Sequence, residues 1–143
     1  MQNKWPIWAS IFVSFLGILN TGYLTIQHFR GLPPTCSVFQ GCETVTNSVY
    51  STLFGIPLAL LGLIFYLVIF MLCLEYMRHG SAIVANLFWF GTVMGIIAST
   101  VLVCLQIFVI KALCQYCILS AIETILLFIF SSFTIKQSQS TQL

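Results

Sequence analysis

Four long apolar stretches constrain the fold of this chain more than any other feature. They cover residues 6–27, 55–74, 82–107 and 114–135, and each approaches or exceeds the roughly 20 apolar residues that a helix needs to cross a bilayer. Only 6% of the 143 residues are charged and 59% are hydrophobic, whereas about a quarter of the residues in a soluble domain carry charge. The sequence therefore predicts an integral membrane protein.

The apolar stretches predict helices rather than barrel strands. Backbone groups in lipid have no water to bond with, and these stretches are too long and too continuously apolar for the strands of a barrel. Short connections make neighbouring helices antiparallel. We therefore expect an all-α integral membrane fold, a four-transmembrane-helix bundle that forms a single domain over residues 1–143, with an extracytoplasmic loop between its first two helices.

Four of the six cysteines fall near the predicted ends of the spans. Cys36 and Cys42 lie in the long polar loop, while Cys114 and Cys117 form a Cys-x-x-Cys motif where the fourth span begins. Two spans separate the pairs, so both pairs are expected at one membrane face. Disulfide chemistry is typical of compartments outside the cytosol, and the distribution of Lys and Arg mildly favours cytoplasmic termini. We expect both pairs to face the periplasm.

The Cys-x-x-Cys motif predicts a redox-active pair. Two sulfurs three residues apart can bond across the first turn of a helix. The positive end of the helix dipole, with Lys111 just upstream, favours a thiolate, and a lowered thiol pKa makes the disulfide exchangeable. Cys36 and Cys42 close a short loop that opens and re-forms easily, which suits a shuttle. A structural disulfide or half of a zinc site is the alternative interpretation of the motif.

Four further residues lie inside the spans. Cys73 and Cys104 are interpreted as inert packing residues, as buried free cysteines usually are. Glu123 lies roughly 14 Å below the top of its helix, at 1.5 Å per residue, and carboxylates within membranes are candidates for function. Asn20 lies at a similar depth. Two interpretations of Glu123 stay open: structural pairing with Asn20, and a proton relay to a quinone.

The ordered set of motifs resembles the vitamin K epoxide reductase family in its bacterial form. The motifs that carry the resemblance are Cys36-x5-Cys42, Ser48, Phe54-Gly55-Ile56-Pro57 and Cys114-x-x-Cys117. The resemblance implies a bundle of four transmembrane helices around a quinone. It also implies that Cys114 and Cys117 form the redox centre and that Cys36 and Cys42 form the loop shuttle. Ser48 matches the serine that follows the second loop cysteine by six residues.

The resemblance implies an activity and a location. It implies a membrane thiol-disulfide oxidoreductase of the bacterial inner membrane that re-oxidises a periplasmic thioredoxin-fold (DsbA-like) disulfide donor and passes the electrons to membrane quinone, either ubiquinone or menaquinone. Many bacterial relatives are fused to a thioredoxin-like domain, and this chain resembles the stand-alone form, so a separate partner protein is expected. The candidates for the quinone pocket are Ser48, Phe54, Gln106 and Cys117.

Other functions remain compatible with the sequence. Animal members of the family place a tyrosine where Ala121 stands, so plain quinone is the expected electron acceptor, and reduction of vitamin K quinone or its epoxide is the alternative. A membrane protein that binds zinc or copper through its four outward cysteines is a second alternative, and a bundle with purely structural disulfides is a third. The net charge of +2 is small and its charges are scattered, so no nucleic-acid role is expected.

Overall fold

A computed structural model describes residues 3–142 of the protein. Its α-helices are α1 (Trp5–Arg30), α2 (Cys42–Thr46), α3 (Leu58–His79), α4 (Ala82–Cys104) and α5 (Gln115–Gln142). Its other elements are a 3₁₀ helix (Val49–Ser51), a hairpin of β1 (Thr52–Leu53) and β2 (Ile56–Pro57), and a π-helical segment (Leu105–Ile110) that extends α4. By length and composition α1, α3, α5 and the extended α4 can each cross a membrane. The predicted four-helix membrane fold is confirmed.

The four spanning helices pack in a ring that follows chain order. Helix α1 packs against α3 and α5, and α4 packs against the same two helices. Two residues connect α3 to α4, and four connect the π-helical segment to α5, so these neighbours run antiparallel. The long connection between α1 and α3 carries the loop cysteines. It lies at the same end of the bundle as the connection over residues 111–114.

The second spanning helix begins at Leu58 rather than at the predicted residue 55. Phe54 and Gly55 both have positive φ, 53° and 81°, as the two-residue turn of a tight hairpin requires. That turn pairs Leu53 with Ile56. The prediction was wrong here because the apolar residues before the helix form the hairpin instead. The last helix also continues beyond the predicted residue 135 to Gln142, so the polar residues near the C-terminus extend α5.

The bundle interior holds hydroxyl groups as well as apolar side chains. The buried apolar core contains Ile7, Val13, Tyr66, Ile69, Phe88 and Leu127 among others. The buried hydroxyls of α1 donate to backbone carbonyls three or four residues earlier in the same helix, namely those of Ser10, Ser14, Thr21 and Thr25. Such local bonds satisfy a hydroxyl where no water is available.

Gly17 allows α1 to approach α3 closely. A Cβ atom at this position would lie 2.4 Å from Cδ1 of Tyr66, so the ring of Tyr66 occupies the space that any larger residue would need. Tyr66 is 1% exposed, and its hydroxyl donates to the backbone oxygen of Ser120 in α5 at 2.9 Å. Gly17 therefore sets the position from which the side chain of Tyr66, on α3, reaches α5.

We expect Gly17→Ala to lower the free energy of unfolding relative to Gly22→Ala. Both substitutions gain the same helix propensity, but a Cβ at position 22 finds only Leu63 Cδ1, at 3.9 Å. The added methyl at position 17 displaces the Tyr66 ring, and overpacking of this kind costs about 1–3 kcal/mol. Thermal unfolding in detergent compares the two variants. Equal stability of the two would contradict the close packing of Gly17 on Tyr66.

Candidate active site

The loop cysteines form a disulfide. Cys36 and Cys42 are bonded, with their Cα atoms 6.1 Å apart. Cys42 is the first residue of the short helix α2 and is fully buried. Cys36 precedes it on an irregular stretch and is only partly buried. The two sulfurs thus differ in access: a molecule approaching from the water side meets Cys36 first.

The Cys-x-x-Cys cysteines are free thiols at the start of α5. Cys114 is the residue before the helix and is fully buried, while Cys117 lies in the first turn and is partly buried. The Cys117 side chain donates a hydrogen bond to Cys114, and the backbone N–H groups of Cys117 and Tyr116 also point at it. These three donors, the thiol first, lower the pKa of Cys114 to about 7 against the opposing effect of burial.

All four cysteines belong to one cluster. Cys42 and Cys114 are buried in contact within it, together with Val45, and Cys36 and Cys117 pack against this centre. The two pairs therefore share one site at one end of the bundle, although 72 residues separate Cys42 from Cys114 in the sequence. Cysteines gathered in one cluster can exchange disulfide bonds when their sulfur atoms reach bonding distance.

The two residues between the cysteines of the motif hold the loop in place. The side-chain oxygen of Gln115 accepts hydrogen bonds from the backbone N–H groups of Ser37 and Val38, at 3.2 and 3.0 Å. The hydroxyl of Tyr116 donates to the backbone oxygen of Thr35 at 2.6 Å. The segment around Cys36 is thus bonded directly to the first turn of α5.

Gly41 provides a second attachment of the loop. A Cβ at this position would lie 2.6 Å from the backbone oxygen of Leu113 and 2.8 Å from its nitrogen. Because those atoms are backbone and cannot move aside as a side chain can, only glycine allows this approach. The contact sets Cys42, the next residue, beside Cys114, the residue after Leu113.

Gln106 holds the redox pair from the third span. The π-helical segment that contains it ends at Lys111, where φ is 56°, and π-helical turns often occur at functional sites. Gln106 is 3% exposed, and its side-chain oxygen accepts the backbone N–H of Cys114 at 3.1 Å. Its side chain also hydrogen-bonds the Cys117 thiol. One buried amide thus contacts both cysteines of the motif.

A cavity of about 140 Å³ adjoins the cysteine cluster. Its walls come from all four spanning helices and the loop, and most of the lining is apolar, including Leu24, Leu58 and Val103. Polar groups reach it at Ser48, Gln106, Cys117 and Ser120.

Three of the four predicted pocket residues line this cavity, and one does not. Ser48, Gln106 and Cys117 lie on its wall. The hydroxyl of Ser48 donates to the backbone oxygen of Val45 at 2.7 Å, so its proton is already used to fold the loop. Phe54 does not lie on the wall: it occupies the tip of the hairpin, with 96% of its side chain exposed. The turn directs it away from the cavity.

Several residues at the site were not predicted from the sequence. Gln115 and Tyr116 lie between the two cysteines, and that position alone was a signal that they could contact whatever the cysteines meet. Ser120 follows Cys117 by three residues, which places both on one face of a helix. Tyr66 had no such signal, because its contact with Ser120 depends on how α3 packs against α5.

Within residues 3–142, no three His, Cys, Asp or Glu side chains are grouped as metal ligands. The four clustered cysteines occur as one disulfide and one hydrogen-bonded thiol pair. Disulfide sulfurs are not the thiolates that zinc and copper sites use.

Comparison with known proteins identifies the family. A profile of the Vitamin K epoxide reductase family matches residues 8–132, a range that contains all four clustered cysteines and most of each spanning helix. None of the curated proteins compared with the chain matches it. The family consists of membrane oxidoreductases of the disulfide and quinone type. The chain belongs to the vitamin K epoxide reductase family, as its cysteine motifs suggested.

Proposed function

We propose that this protein is a quinone-linked disulfide-generating oxidoreductase. It takes electrons from a thioredoxin-fold (DsbA-like) dithiol protein and passes them to ubiquinone or menaquinone. The observation that carries the proposal is the single cluster in which a partly buried Cys36, a buried Cys42 and a buried Cys114 lead to Cys117 on a cavity wall. This arrangement gives a route for electrons from the water side to the bundle interior.

The first half of the reaction is disulfide exchange. A thiolate of the partner attacks Cys36 and releases Cys42. The partner's second thiol then attacks the mixed disulfide, which closes the partner's own disulfide and releases Cys36 as a thiolate. Cys42 attacks Cys114 and releases Cys117. Cys36 then attacks Cys42, which restores the loop disulfide and leaves the Cys-x-x-Cys pair reduced. The structure has this combination of a loop disulfide and two free thiols.

The second half of the reaction re-forms the Cys114–Cys117 bond. A quinone accepts two electrons and two protons and becomes a quinol. The lining surface of the cavity is mostly apolar, which fits a ring of this kind, and it borders Cys117 directly. Because the pKa of Cys114 is about 7, its thiolate is available near neutral pH to form the bond to Cys117. Gln106 keeps both cysteines in place for this step.

We also propose that the cysteine end of the bundle faces the periplasm of a bacterial inner membrane, with both termini in the cytoplasm. If so, a membrane-impermeant maleimide added to intact cells after mild reduction labels Cys36, the more accessible loop cysteine. Peptide mapping of the labelled protein measures this. Labelling of Cys36 only after the cells are lysed would show the opposite orientation.

The central experiment measures electron transfer by the purified protein. Supplied with a reduced DsbA-like protein and a short-chain ubiquinone or menaquinone analogue, wild-type protein should form one quinol for each dithiol oxidised. Cys117→Ser should form none above the uncatalysed reaction, because it cannot close the Cys114–Cys117 bond. Cys104→Ser is the matched control, since Cys104 is a free, exposed cysteine outside the cluster, and it should behave as wild type.

The pH dependence of that assay is a further readout. Thiolate is the reactive form, so the rate of quinol formation from pre-reduced protein should rise with pH and level off above the Cys114 pKa of about 7. Protein that binds zinc or copper tightly and transfers no electrons would instead favour the metal-binding alternative. Reduction of vitamin K epoxide, but not of plain quinones, would favour the epoxide alternative.

A trapped intermediate tests the order of exchange. In Cys36→Ser the loop lacks the thiol that resolves the Cys42–Cys114 bridge, so this bridge should accumulate when quinone and oxidant are present. Non-reducing peptide mapping should find the two peptides joined, as their burial in contact allows. Cys42→Ser serves as the control and should form no such bridge. A Cys36→Ser protein with only a Cys114–Cys117 disulfide would show that the loop does not feed the redox pair.

A further inference from the structure

Glu123 is a buried carboxyl group that the disulfide chemistry leaves unused. It lies in the middle of α5 along the chain, and it is buried in the bundle with only 5% of its surface exposed. Its Oε2 atom and the Oδ1 atom of Asn20 in α1 are both buried without a hydrogen-bond partner among the described residues. Buried polar atoms are nearly always paired, so two unpaired acceptors in one region indicate that this site needs a further hydrogen-bond donor.

Asn20 cannot supply a donor for its own Oδ1 atom. Its side-chain nitrogen donates to the backbone oxygen of Tyr116 at 3.0 Å, which fixes the orientation of the amide. The carboxyl of Glu123 lies against the side chains of Asn20 and Tyr66. A carboxylate only accepts hydrogen bonds, whereas a protonated carboxyl also donates one. A proton on Glu123 therefore provides the donor that these oxygen atoms lack, and it avoids a bare charge at membrane depth.

Hydroxyl groups connect this carboxyl to the cavity. The hydroxyl of Tyr66, which contacts Glu123, lies 2.8 Å from the Ser120 hydroxyl and 3.2 Å from that of Thr124. Ser120 lies on the wall of the same cavity as Cys117. A hydroxyl can accept one proton while it donates another. When the Tyr66 O–H turns from the backbone oxygen of Ser120, which accepts it at 2.9 Å, to the Ser120 hydroxyl, Glu123, Tyr66 and Ser120 form a chain of exchangeable protons that ends beside the redox cysteines.

We propose that Glu123 is protonated and that it supplies, through Tyr66 and Ser120, one of the two protons taken up when quinone is reduced at this cavity. The inference rests on the proposed function, because it needs a quinone there. Of the two interpretations of Glu123, structural pairing with Asn20 and a proton relay to quinone, the proposal selects the relay. Asn20 is a positioning residue that holds the carboxyl, and Ser120 delivers the proton at the cavity wall.

The proton and electron balance is complete with groups already named. In the reduced pair Cys114 has released its proton to water and Cys117 retains its own. Formation of the sulfur–sulfur bond then gives two electrons and the Cys117 proton, and Glu123 gives the second proton. After quinol leaves, water at the polar rim of the cavity, where His28, Ser48 and Ser51 lie, returns a proton to the Glu123 carboxylate over the same chain. The proton gained equals the one that Cys114 released.

Substitutions that keep the shape of the site but stop proton transfer test the relay. Glu123→Gln keeps the volume and adds an N–H donor for Asn20, so a purely structural role predicts little change. The relay predicts a loss of quinol formation on the order of 10². Tyr66→Phe keeps the ring that packs on Gly17 and should cause a similar loss. Glu123→Asp, which retains a carboxyl, should recover part of the rate.

The matched control is Tyr76→Phe, which removes a buried hydroxyl from the same helix near the other end of the bundle. It should turn over as wild type. A second readout is the rate at which dithiothreitol reduces the disulfides of quinone-free protein, followed by thiol alkylation. That step needs no proton from Glu123, so Glu123→Gln and Tyr66→Phe should leave it unchanged.

Infrared spectroscopy of quinone-free protein gives a readout independent of turnover. Wild-type protein should show the C=O stretch of a protonated carboxyl in the bundle interior, and Glu123→Gln should lose it. Three results would each overturn the relay. The first is absence of this band, and the second is wild-type quinol formation by both Glu123→Gln and Tyr66→Phe. The third is a slowing of disulfide reduction by dithiothreitol in these variants equal to their slowing of quinol formation. If Glu123→Gln does not fold, Tyr66→Phe and the infrared band decide. Failure of the wild-type protein to form quinol would overturn the proposed function instead.

Discussion

Hydrogen bonds from the first turn of α5 to the loop backbone, with a close backbone contact at Gly41, hold the loop cysteines beside the Cys-x-x-Cys pair. Gln115 and Tyr116 form hydrogen bonds with the backbone of the segment around Cys36. Gly41, just before α2, lies in close contact with the backbone of Leu113, the residue before Cys114. These attachments are not covalent. The loop therefore keeps its place while its disulfide opens and re-forms, as a shuttle pair requires.

The membrane explains why the rest of the site is built as it is. Lipid offers no hydrogen-bond partners, so buried hydroxyls bond to their own helices and a buried glutamine is placed where a backbone N–H and a thiol need it. Gln106 reaches both cysteines because the π-helical segment turns it inward at the end of α4. Electrons enter the cavity from the cysteine cluster, and the proposed proton path enters it from the bundle interior.

The residues around the cavity divide by what they contact. Ser48 shapes the loop through its bond to Val45, so the effect of its hydroxyl on a bound ring is indirect as long as that bond is made. Ser120 has its hydroxyl at the wall and at the end of the chain from Tyr66. Phe54, although part of the motif that identified the family, lies outside on the hairpin. A motif residue can therefore mark a turn rather than a pocket.

The sequence by itself determined the four spanning helices, the shared membrane face of the two cysteine pairs and the family. Apolar length and motif order are local properties of the chain, and lipid leaves an apolar stretch of that length only one stable conformation. The predicted helix ends were less accurate. The residues before Leu58 are apolar and form a hairpin, and an apolar composition does not distinguish that hairpin from the start of a helix.

Only the tertiary structure decided which side chains meet. The sequence placed Glu123 and Asn20 at similar depth, but it could not show that Tyr66 bridges the carboxyl to Ser120. That contact depends on Gly17, because the Tyr66 ring occupies the space that a side chain at this position in α1 would need. The separation of Phe54 from the cavity was likewise set by backbone dihedrals at the turn. Such contacts arise from packing between helices distant in sequence, which no local pattern records.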